Sequence, residues 1–404
     1  MNLLFLFYFS LINLVFAHYT SFTKGYSKML TQYLMWKHEK HAPPDNQVQV
    51  FLDIDLVQIL MVNEQKQRVT VQVFVYEEWL DESLKWDSKD FNGIEQTWIP
   101  PDKIWISDVT VLNALEFMNI VAAVRTPVKV LHTGKIIRSY PAIYTAACDI
   151  AIASFPLDQQ KCFLEITSWG YSREKLVIRF GNRSSLAHYR KNDEWALRGA
   201  SIDELVYEFE GLTHSEARFT IEIARKPLYY IISLVIPCYI ICLLGIAGLF
   251  ARFSTRSERQ ERFSLGVTAI VAVAVYGTVV GEKIPHTSKE VPLLLRFFLH
   301  DLVTLSLATI LTGAVLMVNY QGHKNSKPPP KWILKVFRCE STELQKEGKH
   351  VAFESWNTIS YRLECLLFIV FFFAITVPTI GITTKCLEQL MIEDKLILER
   401  NTAK

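Results

Sequence analysis

The first usable chemistry in this sequence is carried by two glutamates and the residues between them. Glu261 and Glu282 stand at opposite ends of an apolar stretch. Between them Ser264, Thr268, Val271, Val275, Thr278 and Val279 recur at intervals of mostly three or four. That spacing gathers them on one helical face, with hydroxyls near one end, valines in the middle and acid at both mouths. A span with one wet stripe and a lipid-like back lines water. Copies around an axis would make two anionic rings that attract cations and repel anions, with the valines as a dewetting constriction. Small and hydroxyl residues packing against neighbouring helices would account for Ser264 and Thr268, but not for acid at both ends.

A second chemical feature is a pair of cysteines. Of seven in the chain, only Cys148 and Cys162 fall in the part that reads as a soluble domain. An isolated pair in a segment delivered to an oxidising compartment is the signature of one disulfide. Closing such a loop removes on the order of 3 kcal/mol of unfolded-state freedom. The loop contains Phe155-Pro156-Leu157-Asp158, where Phe155-Pro156 suits a cis bond in a tight turn.

These residues must be positioned by a chain of 404 residues, 50% of them hydrophobic, with a net charge of +2. The balance gives no sign of a nucleic-acid partner. The apolar excess sits in five blocks. Met1–Ala17 is short and ends on a small residue; it reads as a cleaved signal peptide, with an uncleaved anchor as the alternative. Leu228–Phe250, Phe263–Gly281, Leu293–Val318 and Leu363–Thr383 are each long enough to cross a bilayer, since about 20 helical residues span the ~30 Å hydrocarbon layer. Arg252, Arg256, Arg259 and Arg262 link the first two spans, and Lys324, Lys327, Lys331, Lys335 and Arg338 follow the third. Both links should face the cytoplasm, which leaves both termini outside.

Between Gln47 and Lys226 the pattern changes to short alternating runs. Val48–Val62 and Val69–Val75 flank a turn at Asn63–Gln67, and further runs fall at Val128–Ile137, Phe163–Thr167, Leu176–Phe180 and Phe219–Ile223. Several short strands with frequent turns predict an antiparallel β-sandwich. Ahead of it, Met29, Tyr33 and Trp36 have helical spacing within Thr23–Lys37, which predicts a helix capping the sandwich.

The Cys148 to Cys162 loop with its Phe-Pro-Leu-Asp core, followed by four spans, resembles the Cys-loop pentameric ligand-gated ion channels. Val62-Asn63-Glu64-Gln65-Lys66-Gln67, Glu78-Trp79-Leu80-Asp81 with Leu84-Lys85-Trp86-Asp87, and Pro330-Lys331-Trp332-Ile333 resemble nicotinic acetylcholine receptor-like subunits of the non-α type. The resemblance implies an extracellular antiparallel β-sandwich followed by a four-helix transmembrane bundle, in a homo- or heteropentamer. The expected divisions are a signal peptide at 1–17, a ligand-binding domain at 18–226, three spans within 227–320, a cytoplasmic loop at 321–360, a fourth span at 361–383 and an extracellular tail at 384–404.

In that family an amine agonist such as acetylcholine sits between two subunits in a box of aromatic rings, each worth up to about 2 kcal/mol of cation–π attraction when desolvated. Ser168-Trp169-Gly170-Tyr171 matches the central tryptophan segment, so Trp169 is the expected box floor; the alternative is a tryptophan of the sandwich core. Tyr207 to His214 matches the loop that caps the box. Tyr207 is retained, Phe209 and Glu210 replace the adjacent cysteines of α subunits, and His214 replaces a second tyrosine. Leu112 stands where tyrosine is usual, Phe74 where the neighbouring face offers tryptophan, and Ser107 replaces the proline of the Trp105–Asp108 segment. Either the subunit contributes mainly the complementary face through Phe74, or it binds a different ligand in a modified box. His214 is either a solvated loop histidine or a source of pH sensitivity.

The resemblance also implies gating through Glu64, Phe155, Pro156, Asp158, Arg225 and the Ile284–Lys289 turn, with Glu64 and Arg225 as a partly buried ion pair. Glu261-Arg262-Phe263 follows the pattern of cationic subunits, and the Pro-Ala pair of anion-selective relatives is missing; Na⁺ and K⁺ are therefore the expected permeant ions. An anion channel and a non-conducting subunit that needs co-assembly are the alternatives. No cofactor is implied. No Gly-rich phosphate loop, nucleophile elbow, HExxH or CxxC supports an enzyme. Asn182-Arg183-Ser184 is a glycosylation sequon on the expected outer side. The expected location is the plasma membrane, multi-pass, at a synaptic, neuronal or muscle surface.

Overall fold

The computed structural model describes residues 25–118, 126–181, 186, 188–251, 258–283, 290–325, 333 and 350–402. The signal-peptide segment, Asn182 with its sequon, Ile284–Lys289 and most of the third-to-fourth link lie outside the described residues.

The chain opens with α1 (Tyr26–Lys37). It buries Leu30 and Leu34, one turn apart, while Met29, Tyr33 and Trp36 point outward, Trp36 being 85% exposed. The helix is where the spacing placed it, but its inward face is the leucine face. The aromatics formed the more conspicuous stripe and misled the reading.

Alternation of apolar and polar residues then drives eleven described strands: β1 (Val48–Asn63), β2 (Arg68–Leu80), β3 (Gln96–Ile99), β4 (Val109–Val111), β5 (Ala114–Met118), β6 (Val128–Leu131), β7 (Lys135–Ala147), β8 (Gln159–Ser168), β9 (Leu176–Phe180), β10 (Trp195–Phe209) and β11 (Leu212–Arg225). One sheet runs β3-β6-β7-β2-β1-β9, with β5 also on β7; the other runs β10-β11-β8-β4. Their inner faces, including Val69, Val71, Val73, Leu164, Phe219 and Ile221, form the core. The sandwich is antiparallel except where β1 and β9 pair in parallel.

The run expected over Val128–Ile137 is broken into β6 and β7 by a turn at Gly134, whose φ of +84° is costly for any other residue. A Cβ there would also lie 2.5 Å from the Asp81 carbonyl oxygen. The disulfide Cys148–Cys162, with Cα atoms 5.2 Å apart, ties the end of β7 to β8 and so joins the two sheets. The Phe155–Pro156 peptide inside its loop is cis.

Four helices follow: α2 (Leu228–Phe250, with a π turn over Ile231–Val235), α3 (Glu258–Lys283), α4 (Leu293–Asn325) and α5 (His350–Thr402). Each is long and apolar enough to cross a membrane. α5 continues as one helix through the stretch expected to be a tail, and Gln389 Nε2 donates to the Arg225 carbonyl at 2.9 Å. Inside the bundle Arg262 of α3 meets Glu364 of α5 at 3.0 Å, both side chains buried. Removing one member of such a pair typically costs about 3–5 kcal/mol, whereas replacing both can be neutral. Glu364→Leu should therefore lower the melting temperature of detergent-purified protein sharply, and Arg262→Met added to it should restore most of the loss. Equal melting of single and double variants would count against the pair.

Candidate functional site

The outer site is built on three segments that side-chain hydrogen bonds draw together. Asp108, at the end of the Trp105–Asp108 segment, accepts from the Ser168 hydroxyl at 2.6 Å and from the Gly170 N–H at 2.7 Å. Ser168 Oγ in turn accepts from the Tyr171 N–H at 3.0 Å. This brace fixes the corner at the end of β8 and turns Trp169 outward, 69% exposed. Trp169 is thus not a core tryptophan; that place is taken by Trp79, Trp105 and Trp195.

The stretch from Tyr207 to His214 is a hairpin rather than a long loop. β10 and β11 run in register to Phe209 and Leu212 and turn at Glu210 and Gly211, both at positive φ. Tyr207 and His214 face each other across the ladder, their rings stacked with centroids 5.3 Å apart. Tyr207 Oη lies 3.5 Å from Thr167 Oγ1 of β8. His214 is buried, and its Nδ1 has no hydrogen-bond partner among the described residues, so the solvated-loop expectation does not hold. Phe209 and Leu112 are exposed.

Phe74 stands on β2, in the other sheet. Its ring meets that of His188 edge-on at 5.6 Å, and His188 Nδ1 lies 2.6 Å from Asp55 Oδ2. The sequence reading missed His188, and nothing in its local pattern marks it. On the inner face of β2, Glu77 is buried and accepts from the Tyr140 hydroxyl at 2.7 Å and from Arg138 at 3.2 Å. Burial pushes the Glu77 carboxyl above the usual range, against the pull of Arg138.

At the membrane end, Arg225 closes β11 with its side chain wholly buried. It donates to Asp158 at 2.9 Å, to Glu194 at 2.7 Å and to Glu64, and its guanidinium lies 4.2 Å from the Trp195 ring and 4.9 Å from Phe155. Burial works against the charge, but Asp158 and Glu64 outweigh it and hold the guanidinium more strongly protonated than usual. The Glu64 to Arg225 pair is present, with Glu194 and Asp158 as further partners in the same cage. Pro156 follows Phe155 at the cis peptide. The Cys148–Cys162 loop also touches α4: the Leu293 N–H donates to the Ala153 carbonyl at 2.9 Å and the Leu294 N–H to the Phe155 carbonyl at 3.1 Å. Gln65, in the β1–β2 turn, donates to the Glu282 carbonyl at the outer end of α3. Cage, loop and turn form one bonded junction between head and bundle.

On α3, Glu261, Ser264, Thr268, Val271, Val275, Thr278, Val279 and Glu282 are all exposed in the single chain, while Arg262, Gly266, Ala269 and Val273 face the other helices. Cys238 and Cys242 of α2 and Asp301 of α4 also converge inside the bundle, the Cys238 thiol 3.7 Å from Asp301 Oδ2.

A braced aromatic corner on a β-sandwich, bonded through a disulfide loop to four apolar helices, defines a membrane channel subunit with an extracellular head. The comparisons with known proteins agree. A model of the neurotransmitter-gated ion-channel ligand binding domain matches residues 27–227, and one of the neurotransmitter-gated ion-channel transmembrane region matches residues 234–350. The chain belongs to the neurotransmitter-gated ion-channel family, whose members are channels and not enzymes. It is 43% identical to the proton-gated ion channel subunit pbo-6 of Caenorhabditis elegans over 92% of this chain and 90% of that one. It is 33% identical to the acetylcholine receptor subunit alpha-type deg-3 of C. elegans, over 72% of this chain and 53% of that one. With the neuronal acetylcholine receptor subunit beta-2 of Carassius auratus it shares 31% over 72% and 62% of the two chains.

Proposed function

We propose that this chain is a subunit of a plasma-membrane, pentameric, cation-conducting channel opened from its extracellular side, and that its agonist is the proton. The observation that carries the agonist reading is His214. Where an amine box would offer a second tyrosine, a histidine lies buried against Tyr207 with its Nδ1 unpartnered among the described residues. An imidazole offers two ring nitrogens as places for a proton. The neighbouring face adds His188 between Phe74 and Asp55, and a relative 43% identical is a proton-gated channel subunit. Leu112 and His214, each where a tyrosine is usual, weaken an aromatic cage for an amine. The exposed Trp169 and the retained Tyr207 support the second reading, an amine such as acetylcholine.

Cation selectivity is supported by Glu261 and Glu282 at the two ends of the hydroxyl and valine stripe. The guanidinium of Arg262, next to Glu261, pairs with Glu364 inside the bundle, while Glu261 itself lies on the exposed stripe. Na⁺ and K⁺ are then the permeant ions, passing Val271 and Val275 as the gate.

The test is to express the chain alone and with related subunits, then compare steps from about pH 7.5 to 5.5 with a panel of amines, beginning with acetylcholine. The expected result is an acid-evoked current whose reversal potential follows sodium and not chloride. An amine-evoked current without an acid response would replace the proton with the amine. Surface pentamers that conduct under neither stimulus would make the chain an auxiliary subunit.

A further inference from the structure

We propose that His38 is a proton-binding site of this subunit, from which acid releases the Trp105–Asp108 segment that holds Trp169. The inference rests on the proton reading above and adds to it a receptor position away from His214 and His188.

His38 follows α1 directly, and its N–H closes the helix on the Leu34 carbonyl at 3.0 Å. Its ring side chain is only 2% exposed. His38 Nε2 accepts the Trp105 backbone N–H at 3.0 Å. A backbone amide can only donate, so Nε2 carries no proton. The single proton of the neutral ring is then on Nδ1, which lies 2.7 Å from Ser83 Oγ and 3.4 Å from Asp81 Oδ2. Ser83 Oγ donates its own hydrogen to Asp81 Oδ1 at 2.7 Å, leaving a lone pair for Nδ1–H. Every hydrogen in this chain of bonds is assigned, and the assignment admits only the neutral ring.

A second ring proton would sit on Nε2 and face the Trp105 N–H, donor against donor. The bond must break, and a buried amide loses its acceptor. Trp105 is not an isolated contact. Its indole N–H points to the Tyr171 hydroxyl at 3.4 Å, and its ring packs edge-on against Trp79 and Tyr171. Three residues later Asp108 holds Ser168 and Gly170 on either side of Trp169. The path from His38 to Trp169 is therefore one short backbone segment, bonded at both ends.

The electrostatics agree in sign. Burial lowers the His38 pKa below its ordinary value, while Asp81 and Glu39 pull it up by less. A conformation in which the ring is freed and solvated would regain the ordinary value of about 6.5. Protons thus bind the freed form better than the resting one, and acid shifts the population toward it. The resting arrangement is fully favoured above about pH 6.5 and is lost as pH falls below that value. A cavity of about 710 Å³ lies beside the ring; around it stand Glu39, Asp45, Glu78 and Glu82, balanced by Lys37 and Lys135. Lys135 is paired with Glu78 at 2.6 Å and Lys37 Nζ lies 3.4 Å from the Lys85 carbonyl. The acidic excess favours cations, protons included, beside the ring.

The experiment uses full-length channels with two readouts. The first is the pH dependence of current for wild type, His38→Gln and Asp81→Asn. Glutamine can still accept from Trp105 but does not titrate. Half-activation of His38→Gln should move to more acid pH by about one unit, tenfold in proton concentration. Asp81→Asn removes a charge that raises the His38 pKa in the resting form only; it widens the gap to the freed form and should leave half-activation in place or move it toward less acid pH. The second readout is hydrogen–deuterium exchange of the peptide containing Trp105–Asp108 in purified channels, corrected for the intrinsic effect of pH. Exchange should rise on acidification in wild type and not in His38→Gln. A wild type that shows this rise but no acid-evoked current keeps the His38 site and removes the proton as agonist. Acid-evoked currents with unchanged half-activation in His38→Gln, or exchange that rises equally in both proteins, overturn the His38 site. If neither variant reaches the surface, wild-type exchange at Trp105 that does not respond to pH overturns it as well.

Discussion

Arg225→Gln is expected to abolish agonist-evoked current, and Glu64→Arg placed on an Arg225→Glu background is expected not to restore it. A two-membered pair would allow rescue by exchanging its charges. Arg225 instead serves Glu64, Asp158 and Glu194 at once, with its side chain fully buried. Glutamine would leave three carboxylates facing one another without their cation. Breaking one partner of a single buried pair typically costs about 3–5 kcal/mol, enough to displace a two-state equilibrium almost completely. In the exchanged variant Asp158 and Glu194 would still confront a glutamate at 225.

Arg225→Lys should also fail, though less completely. The guanidinium uses Nε, Nη1 and Nη2 on separate acceptors, a planar fork that an ammonium cannot reproduce, and it lies over Trp195 and Phe155 as well. The measurement is whole-cell current with surface labelling of the same cells. Wild-type current in Arg225→Gln, or full rescue by the exchanged pair, would show that the cage does not carry coupling.

The difference between a pair and a cage shows how far the sequence alone reached. The length of the apolar runs located the four membrane-length helices, and periodicity located most strands, because burying one face of a strand leaves a repeat in the residues themselves. It failed where burial is uneven. In β10 only Trp195 and Leu197 are well buried and the remainder, polar and apolar alike, is half-exposed or exposed, so no clean alternation announced the strand. The strand is held by its ladder with β11, which is a property of the partner. In α1 the loudest residues were the exposed ones.

The site divides the same way. The cysteines, Trp169 and the α3 stripe lie in contiguous segments whose spacing can be read directly. Glu194 and His188 act through residues far away in the chain: Glu194 reaches Arg225 and His188 reaches Asp55 and Phe74. Similarly, His38 lies in the chain well before the Trp105 amide that it binds. Hydrogen bonds between distant loops leave no local pattern, and only the fold brings such groups together.

Inverting the charge at Glu261 should have the largest effect on conduction. Under the pentameric reading, a Glu261→Lys channel carries a ring of ammonium groups where the native channel carries carboxylates, at a mouth where every permeant ion passes close by. Charged rings of this kind set the sign of the permeant ion. The ratio of sodium to chloride permeability, taken from reversal potentials under substitution of each ion, should fall by at least about tenfold, since favouring and disfavouring one charge by even 1.4 kcal/mol already changes occupancy tenfold. Arg262 provides the internal comparison. It is the next residue on the helix but faces α5 and Glu364, so Arg262→Met, made with Glu364→Leu to keep the bundle folded, should leave the permeability ratio unchanged. Position 261 would then act through the water of the pore and position 262 through protein packing, one residue apart. If Glu261→Lys continues to exclude chloride, the acid at 261 does not face the ion path and the cation reading loses its inner ring.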